Sequence, residues 1–315
     1  MEHVDLQIPV NDNFSFNECL WFLNRNFDDC MHVVKAGSVR KALMVNDQPV
    51  LLNISMNGQN LQVQVLRGKA DDRAESFIRR YITEWFDIDK DISAFYKLLI
   101  THKSLAYMPE SFEGLHLVGI PDLFEALAWS IIGQQINLPF AYRVKRRFVE
   151  KYGSSILHDD VLYHIFPSCE TVANANSEDL RGMQFSARKA EYIIGLARSF
   201  ISGEISKQKL AGIPDFISRQ KALTGIRGIG IWTANYALMK SLKEPSCIPY
   251  GDAGLLNALM NHKIIGEKSD SKGISKFFEE FSGWESYLVF YLWRSLAPTE
   301  KERLMQIQNI ESASV

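Results

Sequence analysis

The pattern of apolar and polar positions changes rhythm part-way along the 315-residue chain. Up to about residue 115, short apolar segments at 31–34, 50–55 and 60–66 read as strands, and in the last of them Leu61, Val63 and Val65 alternate with polar neighbours. Asn46-Asp47 and Asn57-Gly58 punctuate these segments with turn-forming pairs. Residues 16–27 and 71–85 carry apolar side chains at helical spacing. The first of these follows Ser15, with Glu18 three residues on, which fits a capping box. The pattern predicts a small antiparallel sheet with helices on one face.

From Pro121 onward strand signals vanish and helical spacing takes over. Pro121-Asp122 opens a helix through Phe124, Leu127, Ile131 and Ile132, and Pro139 opens another through Tyr142 and Phe148, closed by Gly153. Further helices are predicted over 187–201, 215–223, 232–242, 253–261 and 284–295. The fold class is therefore α+β, with an α+β domain over 1–115 and a mostly helical region over 116–300. A polar tail over 301–315 reads as frayed. There is no convincing internal repeat and no low-complexity segment.

Composition narrows the setting. Apolar residues make up 46% of the chain and charged residues 23%, ordinary values for a protein that builds a core. The opening MEHVDLQIPV lacks a basic stretch followed by an apolar run, and the most apolar stretch, 287–296, is too short for a bilayer. Cys19, Cys30, Cys169 and Cys247 are scattered and form no CxxC pair, so they read as reduced thiols in a cytoplasmic protein. The seven histidines show no ligand spacing, so no metal is assigned to them. Net charge is −2 overall. Of 35 basic and 37 acidic residues, 12 and 16 fall within 1–115, leaving that part at −4 and the remainder at +2. The later part is the better side for a polyanion, but only by local placement.

The most informative stretch is ALTGIRGIGIWTANYALMKSLKEPSCIPYGDAGLLN, residues 222–257. A helix ends, Gly225, Gly228 and Gly230 follow closely, and a new helix begins near Ile231. Glycines permit positive φ and close approach of a ligand, and the new helix offers free N–H groups at its positive end. On these residues alone the turn reads equally as a plain helix–helix connection. About twenty residues later, Pro249-Tyr-Gly-Asp252 precedes an apolar helix. Asp252 is an N-cap by position, and a carboxylate that faces a cationic transition state if the hairpin docks on DNA.

The hairpin, the helix after it and the Pro-containing turn ending in Asp resemble the helix-hairpin-helix "GPD" DNA glycosylases. Within them they resemble the inducible bacterial alkylation-repair type, DNA-3-methyladenine glycosylase II. The resemblance extends to FSFNECLWFL (14–23), WFDIDKDISAFY (85–96), GLHLVGIPDLFEALAWSIIGQQIN (114–137) and GWESYLVFYLWRSL (283–296). It implies an N-terminal domain like one repeat of the TATA-binding protein, and two helical subdomains around a cleft.

By the same resemblance Asp252 is the catalytic aspartate. Trp232 stands where strand-nicking relatives place a Schiff-base lysine, so a monofunctional glycosylase without AP-lyase activity is expected. Trp232, Tyr236 and Trp284 are expected to wall the base pocket, while Ala253 replaces a tyrosine of some relatives and widens it. Gln135, with Gln134 second, is expected to fill the gap left by the flipped nucleotide. Gly225, Arg227, Gly228, Gly230 and Thr233 of the hairpin, with Arg188 and Lys189, are expected at the DNA. Arg227 replaces the usual proline before the first hairpin glycine. The carbonyls of Thr224, Ile226 and Ile229 match positions that hold a structural monovalent cation, and no other cofactor is expected. Arg143, Lys145, Arg146, Arg147 and Lys151 form a basic run that reads either as a phosphate contact or as a solvated face. The expected partner is double-stranded DNA with damaged bases, bound by a monomer with no membrane association. The competing reading is a helix-hairpin-helix module that binds DNA or senses damage without catalysis.

Overall fold

The computed structural model describes residues 5–25 and 28–297, so the predicted polar tail lies outside the described residues. Five antiparallel strands form one sheet: β1 (Asp5–Pro9), β2 (Val33–Lys35), β3 (Ser38–Val45), β4 (Gln48–Asn57) and β5 (Asn60–Arg67). Their order is β1-β5-β4-β3-β2. Asn46 and Asp47 both take positive φ, 48° and 59°, which suits the tight β3–β4 turn. The register sets Leu6 opposite Val63, Val63 opposite Ile54 and Ile54 opposite Val39, a fully buried stripe across one face. Helix Asp72–Phe86 lies in the same core, burying Ile78, Ile82, Trp85 and Phe86.

The sheet is larger than the apolar pattern indicates. β3 carries Arg40 and Lys41 in its centre, which break the alternation, and Lys41 is nonetheless buried because its ammonium donates to the Met31 carbonyl at 3.2 Å. β2 begins at Val33 rather than at residue 31. The first helix runs Phe16–Leu23, shorter than the predicted 16–27, of which 26 and 27 lie outside the described residues.

The later part is helical with one correction. Ser154–His158 (β6) and Val161–Ile165 (β7) form a hairpin that the sequence reading missed. Asp159 and Asp160 make its two-residue turn at positive φ, 50° and 58°. Leu157, Val161 and Leu162 are exposed, so the period-2 signature is masked. The buried Tyr163 and Ile165 cover Ala42 and Leu51 on the second face of the sheet. Several helices match their predicted spans closely. Ala187–Ile201 is capped by Ser186, and Ala253–Asn261 by Asp252. Helix Ile231–Ala237 continues as a wider π-turn over Leu238–Leu242.

The two parts share one continuous core. Phe22 packs against Phe290 at 4.5 Å, and Arg294 pairs with Glu18 at 3.0 Å. The connecting segment is held by lysines: Lys240 donates to Val118, Lys243 to Leu117 and Lys207 to Pro121, each at a backbone carbonyl. These ties fix the helices that carry the site against the sheet. No helix among the described residues is long and apolar enough to cross a membrane.

Candidate active site

Asp252 closes a tight turn, its N–H donating to the Pro249 carbonyl at 3.0 Å, and Gly251 before it takes φ +82°. Its carboxylate is half-buried and accepts three hydrogen bonds. Oδ1 receives the Leu255 N–H at 2.7 Å, which caps the following helix, and the Trp293 indole N–H at 2.9 Å. Oδ2 receives the Trp232 indole N–H at 3.2 Å. All three donors are neutral, so the carboxylate is fixed in position while no cation among the described residues pairs with it. Gly254 makes room for this: a Cβ there would lie 3.1 Å from Asp252 Oδ1 and 3.3 Å from the Trp293 ring. Sequence reasoning missed Trp293 and Gly254. Trp293 lay inside the 283–296 stretch of resemblance, yet nothing in its spacing marks it over its neighbours.

Tyr236 stacks on Trp232 with ring centres 5.6 Å apart and lies 6.2 Å from the Trp293 ring. Its hydroxyl accepts the Trp129 indole N–H at 3.1 Å, and burial pushes its own pKa up. Tyr236 also lines an internal cavity with Trp129, Tyr142, Arg25, Asp29 and Lys145. The Tyr236 ring thus touches both indoles that hold Asp252 and also lines a cavity of mixed aromatic and charged side chains. Ala253 is exposed beside the aspartate.

Trp284 is not part of this group. It begins the Glu285–Arg294 helix, nine residues from Trp293, roughly 13 Å along the axis. There it stacks on Phe95 at 5.6 Å, and the Lys90 ammonium sits 4.4 Å from its ring centre. Trp284, expected at the base pocket, packs on Phe95 here, and Trp293 is the indole that reaches Asp252.

The hairpin is built on one left-handed residue rather than three. Gly228 has φ +93°, and a Cβ there would lie 2.3 Å from the Tyr192 ring. Gly225 and Gly230 have ordinary φ, −68° and −88°, with Gly230 as the N-cap of Ile231–Ala237. Thr233 is buried, and its hydroxyl accepts from Gln134 Nε2 at 3.0 Å. The Ile226 carbonyl accepts the Ile229 N–H at 3.1 Å. Arg227 is exposed and pairs with Glu191 at 3.1 Å.

In the loop after helix Leu123–Gly133, Gln134 and Gln135 differ. Gln134 turns inward, its amide donating to the Gly228 carbonyl as well as to Thr233. Gln135 is exposed at φ +56°. Lys189 is also turned inward, donating to the carbonyls of Ile132 and Gln134, and burial lowers its pKa. Arg188 beside it is exposed.

The basic run on helix Leu138–Tyr152 is mostly engaged with the protein. Lys145 is buried between Asp29 at 3.0 Å and Glu125 at 3.7 Å. Arg146 pairs with Asp28 and Glu150, Arg147 with Gln184, and Lys151 with Asp179. Arg143 is exposed and lies over Phe140.

Comparison with known proteins gives the family. The profile of the "HhH-GPD superfamily base excision DNA repair protein" family matches residues 128–283. A DNA-3-methyladenine glycosylase of Bacillus subtilis is 37% identical over 292 residues, 92% of this chain and 96% of that one. The chain belongs to the HhH-GPD superfamily. DNA-3-methyladenine glycosylase 2 of Escherichia coli is 27% identical, over 62% of this chain and 65% of that one. Among solved structures, a 3-methyladenine DNA glycosylase from Archaeoglobus fulgidus superposes with TM-score 0.79 at 22% identity, covering 91% of this chain and 97% of that one. An 8-oxoguanine glycosylase/lyase from Clostridium acetobutylicum, solved with double-stranded DNA, superposes with TM-score 0.72 at 17% identity, covering 92% and 96%. The same fold is thus found in a protein named a glycosylase and in one named a glycosylase/lyase.

Proposed function

We propose that this HhH-GPD protein is a monofunctional DNA glycosylase that extrudes alkylated purines from double-stranded DNA and hydrolyses their bond to the sugar. The observation that carries the reading is the Asp252 carboxylate, held by two indole N–H groups and one amide, with both indoles packed around the Tyr236 ring. A module that only binds DNA has no use for a fixed, uncompensated negative charge facing a polyanion.

The chemistry follows from the charge. As the C1′–N bond breaks, its electron pair leaves with the base and positive charge grows on the sugar. A purine alkylated at N3 or N7 is already cationic and departs neutral, so no strong general acid is required. Asp252 faces the sugar cation, and preorganised charge of this kind is usually the largest catalytic contribution. Water then adds to C1′ and gives up a proton, for which Asp252 is the acceptor. The three donors hold the carboxylate ready, so little reorganisation is needed.

Trp232 supports hydrolysis without strand cleavage. A Schiff-base route needs an amine where the Trp232 indole stands. Lys240, further along the same helical stretch, is buried and donates to Val118. The hairpin's main-chain N–H groups at Ile231–Ala237 would meet a phosphate, and Gln135 would occupy the vacated stack. The Thr224, Ile226 and Ile229 carbonyls would hold a monovalent cation. The Thr224 and Ile229 carbonyls accept no hydrogen bond among the described residues, which suits that use. One molecule per lesion suffices.

The test is base release from methylated duplex DNA by wild type and Asp252→Asn, with strand breaks scored before and after hot alkali. Asn retains helix-capping ability, so the fold is preserved. Wild type should free methylated purines and leave intact, alkali-sensitive strands. The variant should bind DNA and lose about 100- to 1,000-fold in rate. Full activity in the variant would remove Asp252 from the mechanism, and breaks before alkali would refute the monofunctional reading.

A further inference from the structure

Three segments that the glycosylase reading brings to DNA are tied to one another through the N-terminal turns of helix Ala187–Ile201. Lys189 Nζ donates to Ile132 at 2.9 Å and Gln134 at 2.6 Å, the carbonyl end of helix Leu123–Gly133. These carbonyls lack partners within their own helix, and its negative dipole end favours a cation. Gln134 in turn reaches the hairpin, donating from Nε2 to the Gly228 carbonyl and Thr233 Oγ1, both at 3.0 Å. Three residues along from Lys189, on the same helix face, the Tyr192 ring fills the space beside Gly228 where a Cβ would clash. Glu191 between them pairs with Arg227. One helix therefore grips both the loop and the hairpin, and Gln134 joins the two directly.

Between these grips Gln135 is exposed at φ +56°. A residue other than glycine keeps that conformation only where its surroundings determine it.

We propose that Lys189, Gln134 and Tyr192 are positioning residues that fix Gln135 at a set distance and angle from the hairpin. The inference rests on the glycosylase reading and reassigns Lys189 and Gln134 from DNA contacts to an internal brace. Docking the hairpin on a phosphate then presents Gln135 to the base stack without refolding of its loop. Loosening the brace should harm extrusion of a paired base and spare both hairpin docking and bond cleavage.

The test is single-turnover excision by wild type, Lys189→Met, Lys189→Arg and Gln134→Ala on two duplexes. One holds the lesion in a pair; the other holds it unpaired in a one-nucleotide bulge, where little extrusion work remains. Lys189→Met and Gln134→Ala should lose about 10- to 100-fold on the paired lesion, the scale expected of a small misplacement, and about threefold or less on the bulged one. Binding to undamaged duplex should stay within about threefold of wild type, and Lys189→Arg, which keeps a cation at the carbonyls, should recover most of the rate. Equal loss on both duplexes, a parallel fall in binding, or no loss at all in two folded variants would overturn the brace. A wild type that excises nothing from either duplex overturns the glycosylase reading, and the brace with it. A wild type that excises while the variants match it on the paired lesion overturns the brace alone.

Discussion

Two partly buried carboxylates, Asp29 and Asp252, are stabilised in different ways. Asp29 lines the cavity and takes a hydrogen bond and an ion pair from Lys145, 3.0 Å away. Burial alone would push its carboxyl up, but Lys145 and His32 hold it well below its ordinary value of 3.8. Among the described residues Asp252 receives neutral N–H donors, from Trp232, Trp293 and Leu255. The first arrangement neutralises a charge inside the fold. The second fixes a charge in place and leaves it available to a cation that forms nearby. Nearness to the cavity therefore does not pick out the reactive group; the way its charge is satisfied does.

The largest effect that sharpens this contrast is on stability. Lys145→Met leaves Asp29 and Glu125 buried without their cation, and should cost about 3–5 kcal/mol in denaturant unfolding. The sign of the pH dependence follows from the depressed folded-state value of Asp29. Its contribution is present above about pH 3.8 and is lost as pH falls through that value and below. Lys145→Met should therefore melt early at neutral pH and lose less on further acidification than wild type. If Lys145→Met kept wild-type stability and instead reduced the salt dependence of DNA binding, Lys145 would be a phosphate contact and the contrast would fail.

A smaller effect separates the two ends of helix Glu285–Arg294. Trp293→Phe removes one donor from Asp252 and leaves a ring of similar shape. Loss of a hydrogen bond to a charged group is worth roughly 1.5–3 kcal/mol, so excision should fall by at least about tenfold while binding holds. Trp284→Phe keeps the stack on Phe95 and should excise within about twofold of wild type, as surface and conservative changes away from a site usually do. Equal loss in both variants would return Trp284 to the base pocket.

These contrasts also mark how far the sequence could be read. Helices Ala187–Ile201 and Ala253–Asn261 were legible because a capping side chain and an apolar stripe agree at each. The β6–β7 hairpin was not, because the exposed Leu157, Val161 and Leu162 hide which face is buried. β3 was not, because Lys41 is buried by a contact to Met31 that no local pattern encodes. At the site, Asp252, Trp232 and Tyr236 are close in sequence and in space. Trp293 reaches Asp252 from 41 positions away, and choosing it over Trp284 requires the phase and packing of one helix. Lys145, Lys189 and Gln134 show the general difficulty. A basic or amide side chain suggests DNA by type, and only the fold shows that its donors are already in use.

The smallest effect concerns a cation that neither carboxylate uses. Arg188 is exposed beside Lys189 and makes no hydrogen bond or ion pair among the described residues. Lys189 donates inward to two carbonyls, which leaves Arg188 as the exposed cation of the pair. A single phosphate contact adds roughly 0.9 to the slope of log K against log salt for duplex DNA. Arg188→Ala should therefore reduce that slope by about one or less, and weaken binding to damaged and undamaged duplex alike. Its unfolding free energy should stay within about 0.5 kcal/mol of wild type, as expected for an unpaired surface residue. This pattern inverts the one expected for Lys145→Met, which destabilises the fold and spares the salt slope. A flat slope change with loss of stability would place Arg188 among the structural cations as well. Hairpin docking would then depend on main-chain N–H groups and whatever charge Arg227 retains beside Glu191.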